Sequence, residues 1–361
     1  MSSSEAPVPP ASVSGQAEPA VATDPATGLV PGHFWTDNAQ QAAPEDSDQD
    51  SALGVGDNLS STASITSSIL EYRTVHGRTY HSERGNAKYW GSNDETQNES
   101  MDINHHSLLL ALDNKLHLAP LKDIQKAIDI GTGTGIWAID FADEYPNAEV
   151  IGTDISPIQP SWVPANLKFE IEDCTQDWTY PSNTFDYVHM RWLNGSIDDW
   201  SQLFREAFRC CKPGGYVESF EGAPYNESDD GTVKDTDALG QWGKLFVAAG
   251  KKFGRSFTTV PDGIQRKAME ECGFVEIQEK NIKTPVGGWP KDPVLRQIGQ
   301  LAQVALTTDV EGYLILSATE LGWTREETLL YAAQVRREVR SGKHHAFYRQ
   351  KIVWGKKPFS A

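Results

Sequence analysis

The chain has 361 residues, 39% of them apolar, enough to bury a sizeable core in one large domain or two small ones. A formal net charge of −18 argues against DNA or RNA as the main partner, because affinity for phosphates comes mostly from Lys and Arg. No apolar run approaches the ~20 residues that span a bilayer, and the four cysteines lack CxxC spacing, so neither a membrane span, a zinc site nor a disulfide framework is expected.

The charge is uneven. No Lys or Arg precedes Arg73, whereas ten Asp or Glu lie between Glu5 and Glu71. The segment is rich in Ala, Ser, Pro and Gly ("SSSEAPVPPASVSGQAEPA") and has too little apolar surface to offset its ordering entropy. Residues 1–60 therefore read as a disordered acidic tail. With neither the basic start and apolar core of a signal peptide nor the Arg of a transit peptide, they point to an intracellular protein, cytoplasmic or nuclear.

Residues 61–122 read as an amino-terminal helical cap. "ITSSILEYRTVHGRTYH" predicts a short helix and a turn at Gly77, and Leu108, Leu112 and Leu116 at i, i+4, i+8 predict a helix ended by Pro120. Residues 123–361 then alternate. Strands are expected at Lys126–Ile130, Glu149–Ile155, Leu167–Ile171, Phe185–Met190 and Tyr216–Phe220. Helices are expected at Ile136–Tyr145 and Trp200–Cys211. Such alternation predicts an α/β fold with a parallel sheet covered on both faces. Further on, helices are expected at Thr236–Phe253, Asp262–Cys272, Asp292–Leu321 and Arg325–Arg340. "FVEIQEKNIKTPVG" reads as a sixth strand and "HAFYRQKIVWGKKP" as a last, antiparallel one. Trp242, Trp289 and Tyr313 are candidates for pocket walls, with core packing the alternative role.

The informative stretch is "AIDIGTGTGIWAIDFADEYPNAEVIGTDISP", residues 127–157. A nucleotide P-loop needs Lys-Ser or Lys-Thr after its last glycine, and here Ile136 and Trp137 follow. A dinucleotide loop, GxGxxG, needs its third glycine at position 136, but the third is Gly135. Asp129 would also repel a pyrophosphate, which disfavours a nicotinamide oxidoreductase. A carboxylate there suits a ligand with positive charge. S-adenosylmethionine meets this requirement: the loop Gly131, Thr132, Gly133 and Gly135 with its helix N-terminus can receive the carboxylate, and Asp129 the ammonium. Asp154, 23 residues after Gly131, can accept both ribose hydroxyls, with Ile155 against the adenine. Asp173 in "FEIEDC" is placed to accept from the adenine amino group.

"DIGTGTGIWAIDFADEYP", "VIGTDISPIQPSWVPANLKFEIED", "FDYVHMRWLNGSIDDW", "KPGGYVE" and the upstream "GRTYH" closely resemble the LaeA-like methyltransferases of filamentous fungi, over roughly residues 65–355. The resemblance implies a class I Rossmann-like seven-stranded sheet with its last strand antiparallel, an amino-terminal cap and helical insertions near the carboxyl terminus. It implies S-adenosylmethionine as cofactor, held by Asp129, Gly131, Gly133, Gly135, Asp154 and Asp173. Relatives carry an Arg where this chain has Ser100.

For chemistry, His189 at the end of the fourth strand is the candidate base, with a buried structural histidine as the alternative. Glu218 inside the fifth strand is expected to anchor a loop or to contact the substrate. The adjacent pairs His105–His106 and His344–His345 make no metal site alone, and Cys210–Cys211 read as a buried helix end. The expected function is O- or N-methylation of a small metabolite of fungal secondary metabolism. The alternative is a LaeA-like regulator of secondary-metabolite gene clusters that keeps the fold and acts through protein partners.

Overall fold

The computed structural model describes residues 23–41, 69–82 and 89–359. Helix α1 (His33–Gln41) and the hairpin β1 (Arg73–Val75), β2 (Arg78–Tyr80) precede helix α2 (Glu95–Ala111). The sheet strands are β3 (Lys126–Ile130), β4 (Glu149–Asp154), β5 (Leu167–Ile171), β6 (Phe185–Arg191), β7 (Cys211–Glu227), β8 (Val275–Pro285) and β9 (Phe347–Lys356). Between them run α3 (Ile136–Glu144), α4 (Trp200–Cys210), α5 (Ala238–Phe253), α6 (Ile264–Cys272), α7 (Pro293–Thr308), α8 (Val310–Glu320) and α9 (Arg325–Arg340).

The seven strands lie in the order β5-β4-β3-β6-β7-β9-β8. The first five are parallel, and β9 runs antiparallel to both β7 and β8. This is the expected class I methyltransferase sheet. The order reverses beside β3, so the carboxyl ends of β3, β4 and β6 open at the switch point where α/β sheets bind ligands.

Apolar residues cover both faces. Ile128, Val188 and Val217 pack with Phe204 and Cys210 of α4 and with Met269 of α6 on one side. Ala127, Val150 and Tyr187 pack with Trp137 and Phe141 of α3 on the other. A separate core beside the sheet joins α1, α5, α8 and α9 through Trp35, Phe246, Leu314 and Tyr331. As expected, Cys210 and Cys211 are buried at a helix end.

Four expectations are corrected. Residues 23–41, assigned to a disordered tail, are folded: Leu29, Val30 and Trp35 are buried in the α5–α9 core, and Val30 N donates to Gln241 Oε1 at 2.8 Å. A local composition count cannot see burial supplied by helices some two hundred residues away. The rest of the expected tail lies outside the described residues. Around Gly77 the chain turns as expected, but His76 (φ 51°) and Gly77 (φ 86°) close a β-hairpin rather than follow a helix; residues 65–68 of that expected helix lie outside the described residues. Helix α2 stops before Leu116, because Asp113 and Asn114 adopt left-handed φ of 56° and 60°. The expected helix 292–321 is two helices. Asp309 breaks it at φ −138° and caps α8 by accepting from Gly312 N at 2.9 Å.

Candidate functional site: a cavity under the cap

A continuous cavity of about 280 Å³ opens above the switch point. Asp129, Gly131, Thr132, Gly133, Asp154, Ile155 and Asp173 line it, whereas Gly135 lies behind the loop. The loop turns because Gly131, Gly133 and Gly135 all adopt positive φ, 66°, 57° and 82°. A Cβ on Gly135 would lie 2.3 Å from the Phe169 ring, so only glycine fits. At Gly133 the Cβ position is open, 3.7 Å from Met101 Sδ, and the restriction there is conformational.

The acidic residues are held differently. Asp129 is 3% exposed; His189 Nδ1 donates to its Oδ1 at 2.7 Å and Thr132 Oγ1 to its Oδ2 at 2.6 Å. Asp154 accepts from Gly133 N at 2.8 Å and Ser156 N at 2.9 Å. Burial raises its pKa to about 6 against the effect of those N–H groups. Asp173 Oδ1 accepts from Thr175 N and Oγ1, while its buried Oδ2 has no partner.

The two candidate catalytic side chains do not reach the cavity. His189 is 2% exposed and stacks on Trp137 at 3.6 Å between ring centroids. Burial lowers its pKa, opposed by Asp129. Glu218 accepts from Leu118 N and, at 2.6 Å, from Ala119 N, and burial raises its pKa to about 7. Asp129, His189 and Glu218 are Cα partners across β3, β6 and β7, so they form one polar rung under the α3 face. His189 therefore orients Asp129, and Glu218 anchors the loop entering β3.

Several lining residues were not anticipated. Gln97, Met101 and Asn104 at i, i+4, i+7 make a face of α2 turned to the cavity. Polar residues at helical spacing beside an apolar stripe were the available signal. Thr134 Oγ1 donates to Asp102 at 2.6 Å and fastens α2 to the glycine loop. Ser100 donates to Ala305 O at 2.7 Å, tying α2 to α7. Glu221 accepts from Leu193 N and Asn194 N, both at 3.0 Å, and sets the loop after β6. Beyond the cofactor strands the wall is aromatic: Trp90, Trp242, Phe246, Phe257 and Tyr313. Trp90 is central, 5.2 Å and 5.5 Å from the Phe246 and Phe257 rings, with its Nε1 donating to Asn194 O at 2.9 Å. Of the expected wall residues Trp242 and Tyr313 line the cavity, whereas Trp289 stacks on His345 outside it.

Residues 103–260 match the family described as a methyltransferase domain. Methyltransferase pytC of Aspergillus terreus is 38% identical over 306 residues, covering 84% of this chain and 93% of that protein. The secondary metabolism regulator LAE1 of Cochliobolus heterostrophus is 33% identical, covering 78% of this chain and 94% of that protein. A probable methyltransferase of Emericella nidulans, tdiE, is 30% identical over 73% of this chain and 83% of its own length. The chain belongs to the LaeA-like fungal methyltransferases. S-adenosylmethionine is the methyl donor of LaeA-like methyltransferases, and the residues present fit it: Asp173 Oδ2 has an acceptor to spare, and Gly133 leaves its Cβ position clear. No helix among the described residues is long and apolar enough to cross a membrane.

Proposed function

We propose that this chain methylates a small, largely apolar aromatic metabolite. The aromatic half of the cavity carries that reading. Its polar groups are tyrosine and serine hydroxyls, indole N–H groups and amides, and among the described residues every lining carboxylate belongs to the ends of β3, β4 or β5. On this reading Asp129 faces the ammonium of the cofactor, Asp154 the ribose hydroxyls, Asp173 the adenine amino group and Ile155 the ring. Thr132 holds Asp129, and Gly131, Gly133 and Gly135 bring the backbone close.

Bound there, the cofactor supplies a sulfonium methyl for in-line displacement. The chain's part is alignment and exclusion of water, which carry much of such a reaction. Tyr89 and Tyr348, pushed up in pKa by burial, stay protonated and do not serve as bases. The curated relatives include both named methyltransferases and regulators, and the preformed aromatic chamber favours the former for this chain.

The test is metabolite profiling of a deletion strain, followed by S-adenosylhomocysteine release from purified protein with the recovered precursor. Loss of one methylated aromatic product, restored in vitro, supports the proposal. Loss of many unrelated products, with no turnover on any precursor, assigns the chain to regulation through protein partners.

A further inference from the structure

Arg191 ends β6 and lines the cavity. Its guanidinium has five N–H donors and keeps its charge in proteins. Among the described residues its hydrogen-bond partner is His105 Nδ1 at 3.1 Å, and no carboxylate lies within ion-pair distance. Burial lowers its pKa to about 10, countered only by more distant Asp129 and Asp140. A cation so placed is costly unless a ligand pairs it.

The guanidinium is also held in place. Because it can only donate, His105 Nδ1 must accept, which leaves the Nε2–H to donate to Asp140 Oδ2 at 2.8 Å. His105 is wholly buried, and burial lowers its pKa, consistent with a neutral ring. The location selects the ligand group. Ile130 and Met190 are register partners, so Arg191 stands level with Gly131, beside the glycine loop. His105 follows Met101, which covers Gly133, by one turn of α2. Of the three cofactor carboxylates only Asp129 acts electrostatically on Arg191, so the guanidinium belongs to the Asp129 end of the site.

We infer that Arg191 receives the carboxylate of the cofactor's amino-acid end while Asp129 faces its ammonium, so that two fixed opposite charges read a zwitterion. His105 and Asp140 act as positioning residues for that contact. The inference rests on the reading that S-adenosylmethionine binds here. The same guanidinium could instead hold an anionic acceptor, so the test must separate the two sources.

Calorimetry on the full chain does so with three probes: S-adenosylhomocysteine, its decarboxylated analogue, and 5′-methylthioadenosine, which lacks the amino-acid end. In the wild type, removing the ligand carboxylate should weaken binding about 10- to 100-fold, the effect of one charge-assisted contact. Arg191→Met should weaken S-adenosylhomocysteine by a similar factor and leave the decarboxylated analogue and methylthioadenosine within about twofold of wild type. Arg191→Lys should recover part of the loss. Unchanged S-adenosylhomocysteine binding in Arg191→Met, or equal weakening of all three probes, overturns the inference; the first result points to an anionic acceptor and the second to a structural role. Should Arg191→Met not fold, the wild-type comparison of the first two probes with Arg191→Lys decides: no carboxylate effect refutes the contact. A wild type that binds none of the probes, methylthioadenosine included, refutes the cofactor reading itself.

Discussion

At the scale of single residues, Asp154 combines burial with a binding task. Its ionised form offers the acceptors that ribose hydroxyls need, and burial holds its pKa near about 6. Cofactor affinity should therefore fall as pH drops through about 6, and calorimetry with S-adenosylhomocysteine from pH 8 to 5 checks the sign. Asp154→Ala should weaken that affinity about 10- to 100-fold without unfolding the chain; unchanged affinity would remove Asp154 from the site. His189→Asn should reduce cofactor affinity and thermal stability together, because Asp129 loses a buried partner. A variant that keeps affinity but loses the methyl-transfer step in single-turnover kinetics would restore His189 as a base. The glycines, Asp129, Asp154 and Asp173 were legible in the sequence because a strand–loop–helix motif is local. The role of His189 was not, because a strand end can be read without knowing what covers its face; of the two roles expected for Glu218, the structure shows the loop anchor. Trp137 and the Leu118–Ala119 backbone cover them here.

At the scale of elements, the alternation of strands and helices could be anticipated from apolar runs and turn residues, whereas the seven-stranded sheet was an implication of the family resemblance. The burial of the amino-terminal segment could not be anticipated, because it is long-range. Residues 23–41 pack on helices α5 and α9 at the far end of the chain. Trp35→Ala should cost about 3–5 kcal/mol in denaturant unfolding. Deleting residues 1–41 should lower the unfolding midpoint clearly. The cap is fastened by Arg78, which donates to Asp94, the N-cap of α2, at 2.7 Å and to Asp309, the N-cap of α8, at 2.6 Å. Arg78→Met leaves Asp309 buried and unpaired, a loss on the order of 3 kcal/mol that hydrogen exchange should place in α2 and α8.

For the whole molecule, buried ionisable groups set how stability responds to pH. Burial raises Glu218 to about 7 and Glu221 to about 8, above the ~4.3 of an unfolded chain. The folded state then keeps protons that the unfolded chain has released, so stability falls as pH rises toward about 8. His105, His117 and His189, lowered by burial, work in the opposite sense below about 6.5, where the unfolded chain takes up protons that the folded one refuses. Between pH ~6.5 and ~8.5 mainly the carboxylates titrate, and the thermal midpoint of the ligand-free protein should decline across that window. A midpoint that rises there would show these carboxylates already ionised at neutral pH.

The shared cavity also has a kinetic meaning. On the proposed function, donor and acceptor share one cavity lined by α2, α5, α7 and α8, with α2 and α8 clasped through Arg78. A release step that needs α2 and α8 to part would time turnover by opening rather than by bond making. A pre-steady-state burst of methylated product should precede slow steady-state cycles, and kcat should drop as sucrose thickens the solvent. Loosening the clasp with Arg78→Lys should raise kcat and KM together, exchanging residence time for throughput.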